Sequence, residues 1–378
     1  MLLPHAHIDP DGLQEFSVVF TDRSLNHMSA RFGGAMREIS TLLKGVYGAS
    51  AVALIPGGGS YAMEAVARQF GQGRSLIVRN GWFSYRWTQI FEACQMGEPT
   101  VVMAQRSGNS DTSPYAPPPI DTVVARIHET RPQAVFAPHV ETSAGIILPD
   151  EYIAAMAQAA HEVGALMVLD CIASGTIWVD MASLGVDVLI SAPQKGWSAS
   201  PSAGVVMLSP MAEAHLAETT SNSFAMDLKK WRAIMAAFEG GGHAYHATMP
   251  TDAIMGFHAA ILETQGMGFA AAKAAQYALG DLVRADLAAR GVVSVAAKGF
   301  GAPGVVVSYT ADPNIQNGSA FRAHGLQIAA GVPLQVGEGE GFRTFRLGLF
   351  GLDKLADPAA TLARLVPAFD TILGPKKG

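Results

Sequence analysis

The chain has 378 residues, 49% hydrophobic and 15% charged, a composition that fills two cores and excludes a disordered polymer. Its net charge of −6 offers no electrostatic footprint for nucleic acid or an acidic membrane surface. Two cysteines, Cys94 and Cys171, form no disulfide framework and suit a reducing cytoplasm. No apolar run reaches the ~18 residues of a membrane span, and the first seven residues carry no signal-peptide pattern.

Residues 1–24 show no period and read as an arm over the body or a neighbouring subunit. From Arg31 to Tyr47 apolar residues recur at helical spacing (Phe32, Met36, Ile39, Leu42, Leu43, Val46). A short strand at 51–55 stops at Pro56-Gly57-Gly58-Gly59-Ser60, and a helix is expected from Tyr61 to Phe70. Strand, glycine-rich turn and helix form a phosphate-binding arrangement, since glycines let the backbone approach an anion that the helix start favours. Such turns often serve only chain reversal, and the Gly-Lys-Ser/Thr ending of a P-loop is absent. A strand at 75–78 leads to Asn80-Gly81-Trp82-Phe83-Ser84-Tyr85-Arg86-Trp87, where Trp82, Tyr85 and Trp87 read as core or interface rings.

A strand at 99–103 precedes a loop at 105–119, rich in Ser, Gly, Asn and Pro. Helix 121–131 and strand 134–138 follow and end in His139-Val140-Glu141-Thr142-Ser143. Thr142 is a candidate donor to a cofactor or substrate; His139 and Glu141 are either a charged pair or structural supports. After helix 150–163, the buried run 166–169 ends in Asp170, and the run 186–190 leads to Gln194-Lys195. A strand ending in Asp followed by a strand ending in Lys suits pyridoxal phosphate. The amine would hold the aldehyde, and the carboxylate would keep the pyridinium nitrogen protonated. Strand 204–208 follows without a crossover helix, so it is expected to run antiparallel. The alternation from 51 to 209 predicts a doubly wound, mostly parallel sheet.

Helices are then expected at 228–239, 251–265 and 268–290. A smaller α+β region follows, with strands near 303–308 and 343–349 and helices near 315–324 and 353–373. On the second strand Phe345, Leu347 and Leu349 face one way, while Arg346 and Gly348 face the other. An arginine facing a cleft suits a carboxylate; the plainer reading is a surface charge, as for Arg343. The expected division is an arm (1–24), a large cofactor domain (25–255) and a small C-terminal domain (256–378). His5, His7, His27, His243 and His246 match no metal-ligand spacing, and no metal is expected.

In this order the pieces resemble the class V aminotransferases of the fold type I pyridoxal phosphate enzymes, most closely the alanine–glyoxylate and serine–pyruvate or serine–glyoxylate group. The resemblance covers roughly residues 25–370. It rests on Leu169-Asp170-Cys171-Ile172-Ala173-Ser174, Gln194-Lys195 and Tyr245-His246-Ala247-Thr248-Met249-Pro250, supported by Gly58-Gly59-Ser60, Asn80-Gly81-Trp82-Phe83, His139 to Ser143 and Phe345-Arg346-Leu347-Gly348. It implies that Lys195 holds the cofactor and shuttles a proton, and that Asp170 pairs with the ring nitrogen. It further implies that Gly59, Ser60 and Gln194 bind phosphate, Phe83 stacks on the ring, and Thr142 sits near the phenolic oxygen. Arg346 would clamp the substrate carboxylate. Tyr245 and Thr248 would reach the other subunit's cofactor in a homodimer with interfacial active sites.

The chain departs from the family at Asp9-Pro10-Asp11-Gly12, where a Pro-Gly-Pro often shapes the pocket, at Pro193, and at Gly58, where a Ser is common. The resemblance implies ping-pong transfer of an amino group from a small amino acid, alanine or serine, to glyoxylate or pyruvate. A lyase or epimerase, an aminophosphonate or ureidoglycine transaminase, and a non-catalytic regulator are the alternatives. A cysteine desulfurase is set aside because no cysteine follows Cys171.

Overall fold

Short runs of aliphatic residues, buried on both faces, build the centre of the molecule. The computed structural model describes Asp9 and residues 13–377. The residues outside this range include His5, His7 and most of the first half of the expected arm. Seven strands form the main sheet: β1 (Ala51–Pro56), β2 (Ser75–Arg79), β3 (Thr100–Met103), β4 (Ala134–Pro138), β5 (Leu166–Asp170), β6 (Val188–Ser191) and β7 (Ala203–Leu208). Their order is β1-β7-β6-β5-β4-β2-β3. β7 runs antiparallel to both neighbours, as expected, and the pairs from β6 through β5, β4 and β2 to β3 are parallel. Every residue of β4, β5 and β6 is buried, which is why these strands read as continuous apolar runs.

Register decides what the sheet presents. Asp170 sits beside Pro138 on one side and Ile190 on the other, so the loops after β4, β5 and β6 leave from one level. β1 also points this way, and its Pro56 lies opposite Ala203 of β7. The Gly57–Ser60 turn therefore opens at the same edge, where open α/β sheets bind ligands.

Helices cover the sheet where the 3.6-residue spacing predicts them. Helix α1 (Ala30–Tyr47) buries Phe32, Met36, Ile39 and Leu43, starts at a Ser29 cap and ends at Gly48 in the left-handed region (φ 62°). Each such fully buried side chain contributes about 1.5–3 kcal/mol. Helix α2 spans Gly59–Phe70 and begins two residues earlier than expected, so Gly59 and Ser60 form its first turn. Helix α3 spans Trp82–Ala93. The expected helices near 121–131, 150–163, 228–239, 251–265 and 268–290 appear as Ile120–Thr130, Asp150–Glu162, Leu228–Glu239, Thr251–Met267 and Phe269–Ala289. The expected boundary at 255/256 falls inside Thr251–Met267. Among the described residues no helix is long and apolar enough to cross a membrane.

Three expectations needed correction. The 105–119 loop contains a paired Gln105–Arg106 and Tyr115–Ala116, held by the Arg106 guanidinium donating to the Tyr115 hydroxyl. The helix expected near 315–324 is two single turns, Pro313–Gln316 and Ser319–Arg322, broken at Asn317-Gly318, where Gly318 has φ 80°. The one near 353–373 is split by Asp357, which caps Pro358–Ile372. A further helix, Pro210–Glu218, was not expected. Its signal was Ser209 followed by proline at the first helical position.

The second sheet consists of β8 (Val305–Tyr309), β9 (Ala329–Ala330) and β10 (Thr344–Gly348), in the order β8-β10-β9 and antiparallel. β10 alternates as expected: Phe345 and Leu347 are buried in a core with Phe321 and Phe369, while Arg346 lies on the opposite face. A third apolar cluster joins the sheets, packing Val140, Ala144 and Ile146 against Ala302, Val305 and Val307. Backbone bonds from Ile147 N to Phe300 O and from Ala302 N to Gly145 O tie the two regions together. The edge of the main sheet thus faces the outer side of β10.

Candidate active site

Asp170 ends β5 and is 7% exposed. Its Oδ1 accepts from Ile172 N at 3.0 Å, which fixes the carboxyl at the strand end. Burial pushes this carboxyl up to about 7, with the Glu141 charge acting the same way, while the Ile172 amide and Arg86 oppose them. Lys195 lies one loop away. Gly196 packs against the Gly175 carbonyl with no room for a Cβ, and Trp197 is fully buried with its ring 4.5 Å from Trp178. Lys195 thus directly precedes two anchored residues, with Nζ 5.6 Å from the Phe350 ring centroid. Burial lowers its pKa, helped by the Arg346 and Arg86 charges.

These groups line one cavity of about 390 Å3. It brings together Gly59, Ser60, Phe83, Thr142, Asp170, Gln194, Lys195 and Arg346, eight of the ten residues singled out from the sequence. Tyr245 and Thr248 are outside it. Tyr245 is 54% exposed, with its hydroxyl 3.2 Å from Thr248 Oγ1 and its ring against His27. Arg343 is also outside, exposed and bonded to the Ala311 carbonyl. His246 Nε2 donates to the Phe224 carbonyl. Trp87 is core, packed on Phe136, whereas Trp82 and Tyr85 are half-buried on α3.

His139 and Glu141 are supports, not a charged pair. His139 Nδ1 bonds Ser174 Oγ at 2.7 Å, and burial together with nearby Lys273 pushes its pKa down to about 3, so the ring is neutral. The buried Glu141 carboxylate accepts five hydrogen bonds, from Phe83 N, Ser84 N, Ser84 Oγ, Ser143 N and Ser143 Oγ, at 2.6–3.1 Å. It caps α3 from another strand end and so sets where Phe83 and Arg86 point. A side chain at Gly81 would run into Ser143 Oγ and this carboxylate. Glu141→Gln turns an amide N–H toward these donors. The expected result is a loss of about 2–3 kcal/mol of stability in urea denaturation of the apoprotein; an unchanged midpoint would contradict the capping role.

Arg86 was passed over in the sequence. It lies three residues after Phe83, the helical spacing that puts both on one face of α3. Its Nη1 donates to Ser60 Oγ at 2.9 Å, and its guanidinium carbon lies 5.2 Å from the Phe83 ring centroid.

Residues 13–308 match the family model for class-V aminotransferases. The chain belongs to this family. A 2-aminoethylphosphonate–pyruvate transaminase of Paraburkholderia phymatum (strain DSM 17167 / CIP 108236 / LMG 21445 / STM815) is 27% identical over 354 residues, 90% of each chain. A protein of Synechococcus sp. (strain PCC 6716) named soluble hydrogenase, small subunit, is 25% identical over 331 residues, covering 86% of this chain and 83% of that one. The crystal structure of an alanine–glyoxylate aminotransferase from Nostoc sp. superposes with a TM-score of 0.77 at 21% identity, over 93% of this chain and 89% of that one. The fold is that of the fold type I aminotransferases, and the cofactor of this class-V enzyme is pyridoxal phosphate.

The cavity fits that cofactor. A buried carboxyl whose charge is disfavoured when alone is relieved by a cationic ring nitrogen. Gln194 lines the cavity wall, and its side-chain amide carries N–H groups that can donate to a phosphate. No side chain caps the start of α2, which leaves a helix N-terminus open to an anion.

Proposed function

We propose that this aminotransferase moves the amino group of a small amino acid, alanine or serine, to glyoxylate or pyruvate. The observation that carries the reading is the convergence of Lys195, Asp170 and Arg346 on one cavity of about 390 Å3. That volume is at the low end for ligand sites and suits a cofactor plus a donor with a short side chain. When bound, the cofactor supplies an electron sink for the carbanion at the substrate Cα.

The remaining work falls to the chain. Arg346 Nε donates to the Ala330 carbonyl at 2.8 Å, so both terminal nitrogens stay available for a bidentate carboxylate. That grip sets the direction of the substrate Cα–H bond. Lys195 Nζ takes the Cα proton as general base, and its lowered pKa enlarges the neutral fraction at pH 7. Asp170 keeps a negative charge at the ring nitrogen's place. Gly59, Ser60 and Gln194 bind the phosphate, Thr142 the phenolic oxygen, and Phe83 stacks on the ring. Tyr245 and Thr248, exposed on the outside of their own cavity, serve the other subunit of a homodimer. The division into 25–255 and 256–378, and a cytoplasmic location, belong to the same proposal.

A second reading has 2-aminoethylphosphonate as donor, on the strength of the 27% identical relative of that name. The test is absorbance of the holoenzyme's visible band on adding L-alanine, L-serine or 2-aminoethylphosphonate. Conversion by alanine or serine, reversed by glyoxylate or pyruvate, is the expected result. Conversion by the phosphonate alone would favour the second reading. Exchange of the Cα proton with no keto acid formed would point to an epimerase.

A further inference from the structure

The cavity carries an excess of positive charge. Lys195, Arg86 and Arg346 all line it, and the one acid among its lining residues is Asp170. Arg86 bonds Ser60 Oγ, and Arg346 bonds the Ala330 carbonyl; neither is paired with a carboxylate among the described residues. Both guanidinium carbons lie over the Phe83 ring, at 5.2 Å for Arg86 and 5.4 Å for Arg346. Two unpaired guanidinium groups in a shared cavity call for two anions. The cofactor phosphate and the substrate carboxylate are two.

Position divides the work between them. Arg346 sits on β10, on the side of the second sheet. Arg86 reaches from α3 to the first turn of α2, where Ser60 and the uncapped helix start favour an anion. Gly58, at the position where the resembling family commonly has a serine, supplies no hydroxyl to this turn, and an added Cβ there would meet nothing within 4 Å. The cup thus lacks one neutral donor and contains one cation.

We propose that Arg86 is the principal cationic ligand of the cofactor phosphate, donating beside Ser60 at the start of α2. The proposal rests on the cofactor lying with its phosphate at this helix start. Arg86 is bound to the non-reacting end of the cofactor, so its removal acts on affinity before it acts on chemistry. Its bond to Ser60 also pre-positions the hydroxyl, so the two donors act as one unit.

The test compares pyridoxal phosphate with pyridoxal, which has the same ring and no phosphate. Apoenzyme, prepared from the holoenzyme, is titrated with each, following the visible band and tryptophan quenching. Arg86→Ala is expected to weaken pyridoxal phosphate binding by about 10- to 100-fold, the effect of losing a charge-assisted bond. Pyridoxal binding should change by less than about threefold, since it makes no such bond. Arg86→Lys should restore part of the loss, because a point charge still attracts phosphate without the fork geometry. Inorganic phosphate should raise the melting temperature of wild-type apoenzyme and not that of Arg86→Ala.

Equal weakening of both ligands would overturn the proposal and make Arg86 a support for Phe83. Unchanged cofactor affinity with a raised KM for the donor would also overturn it, making Arg86 a substrate residue. A wild-type protein that develops no band with pyridoxal phosphate would instead sink the cofactor placement itself. A circular dichroism spectrum matching wild type guards against a misfolded variant.

Discussion

Lys195→Ala is expected to abolish the visible cofactor band and to lower transamination by about ten-thousand-fold or more. The size follows from the two roles proposed for one nitrogen, covalent attachment and proton transfer at Cα. The protein itself should fold normally. Lys195 is half-buried, and burial opposes its charge, so removing the amine relieves an unfavourable term and leaves Gly196 and Trp197 to anchor the loop. An added small primary amine should recover part of the activity by supplying the missing base. Lys195→Arg should not, since a guanidinium stays protonated at working pH. A Lys195→Ala enzyme that keeps its band and turns over within about tenfold of wild type would remove the chemical centre of this reading.

The main sheet was legible because its strands are buried on both faces and leave apolar runs that end abruptly. Asp170 stood out because it is a charged residue closing such a run, and Lys195 because it lies in the short loop just after the next one; the parallel register then sets their loops at one edge. What failed to show was short or non-local. Ala329–Ala330 has two exposed residues, too few for an alternation, yet it seats Arg346. Glu141 receives donors from Ser84, 57 positions earlier, and no local pattern announces that capping bond. Arg86 could have been found by asking which residue shares a helical face with Phe83. Arg346 was legible through alternation on β10, because Phe345 and Leu347 needed the other face.

Asp170→Asn should separate stability from catalysis, in opposite directions. In the apoprotein the folded-state carboxyl titrates near 7, against an ordinary value of 3.8. The folded state therefore binds the proton more tightly than the unfolded state. Stability from this group is fully present below about pH 4 and is lost as pH rises toward and through 7, by an amount on the order of 4 kcal/mol. Asparagine has no such transition, so the apo variant should lose less stability than wild type between pH 5 and pH 8, measured as urea midpoints. In the proposed placement, bound cofactor reverses the balance in wild type, because a cationic ring nitrogen against the carboxylate would favour the charged form. The variant forgoes that pairing, and its turnover should fall by about a thousandfold as the fixed charge at the ring nitrogen is lost. Apo wild type and variant with the same pH dependence would mean that Asp170 is already charged in the empty site. A variant turning over at near wild-type rate would mean that the charge at the ring nitrogen is not what the chemistry uses.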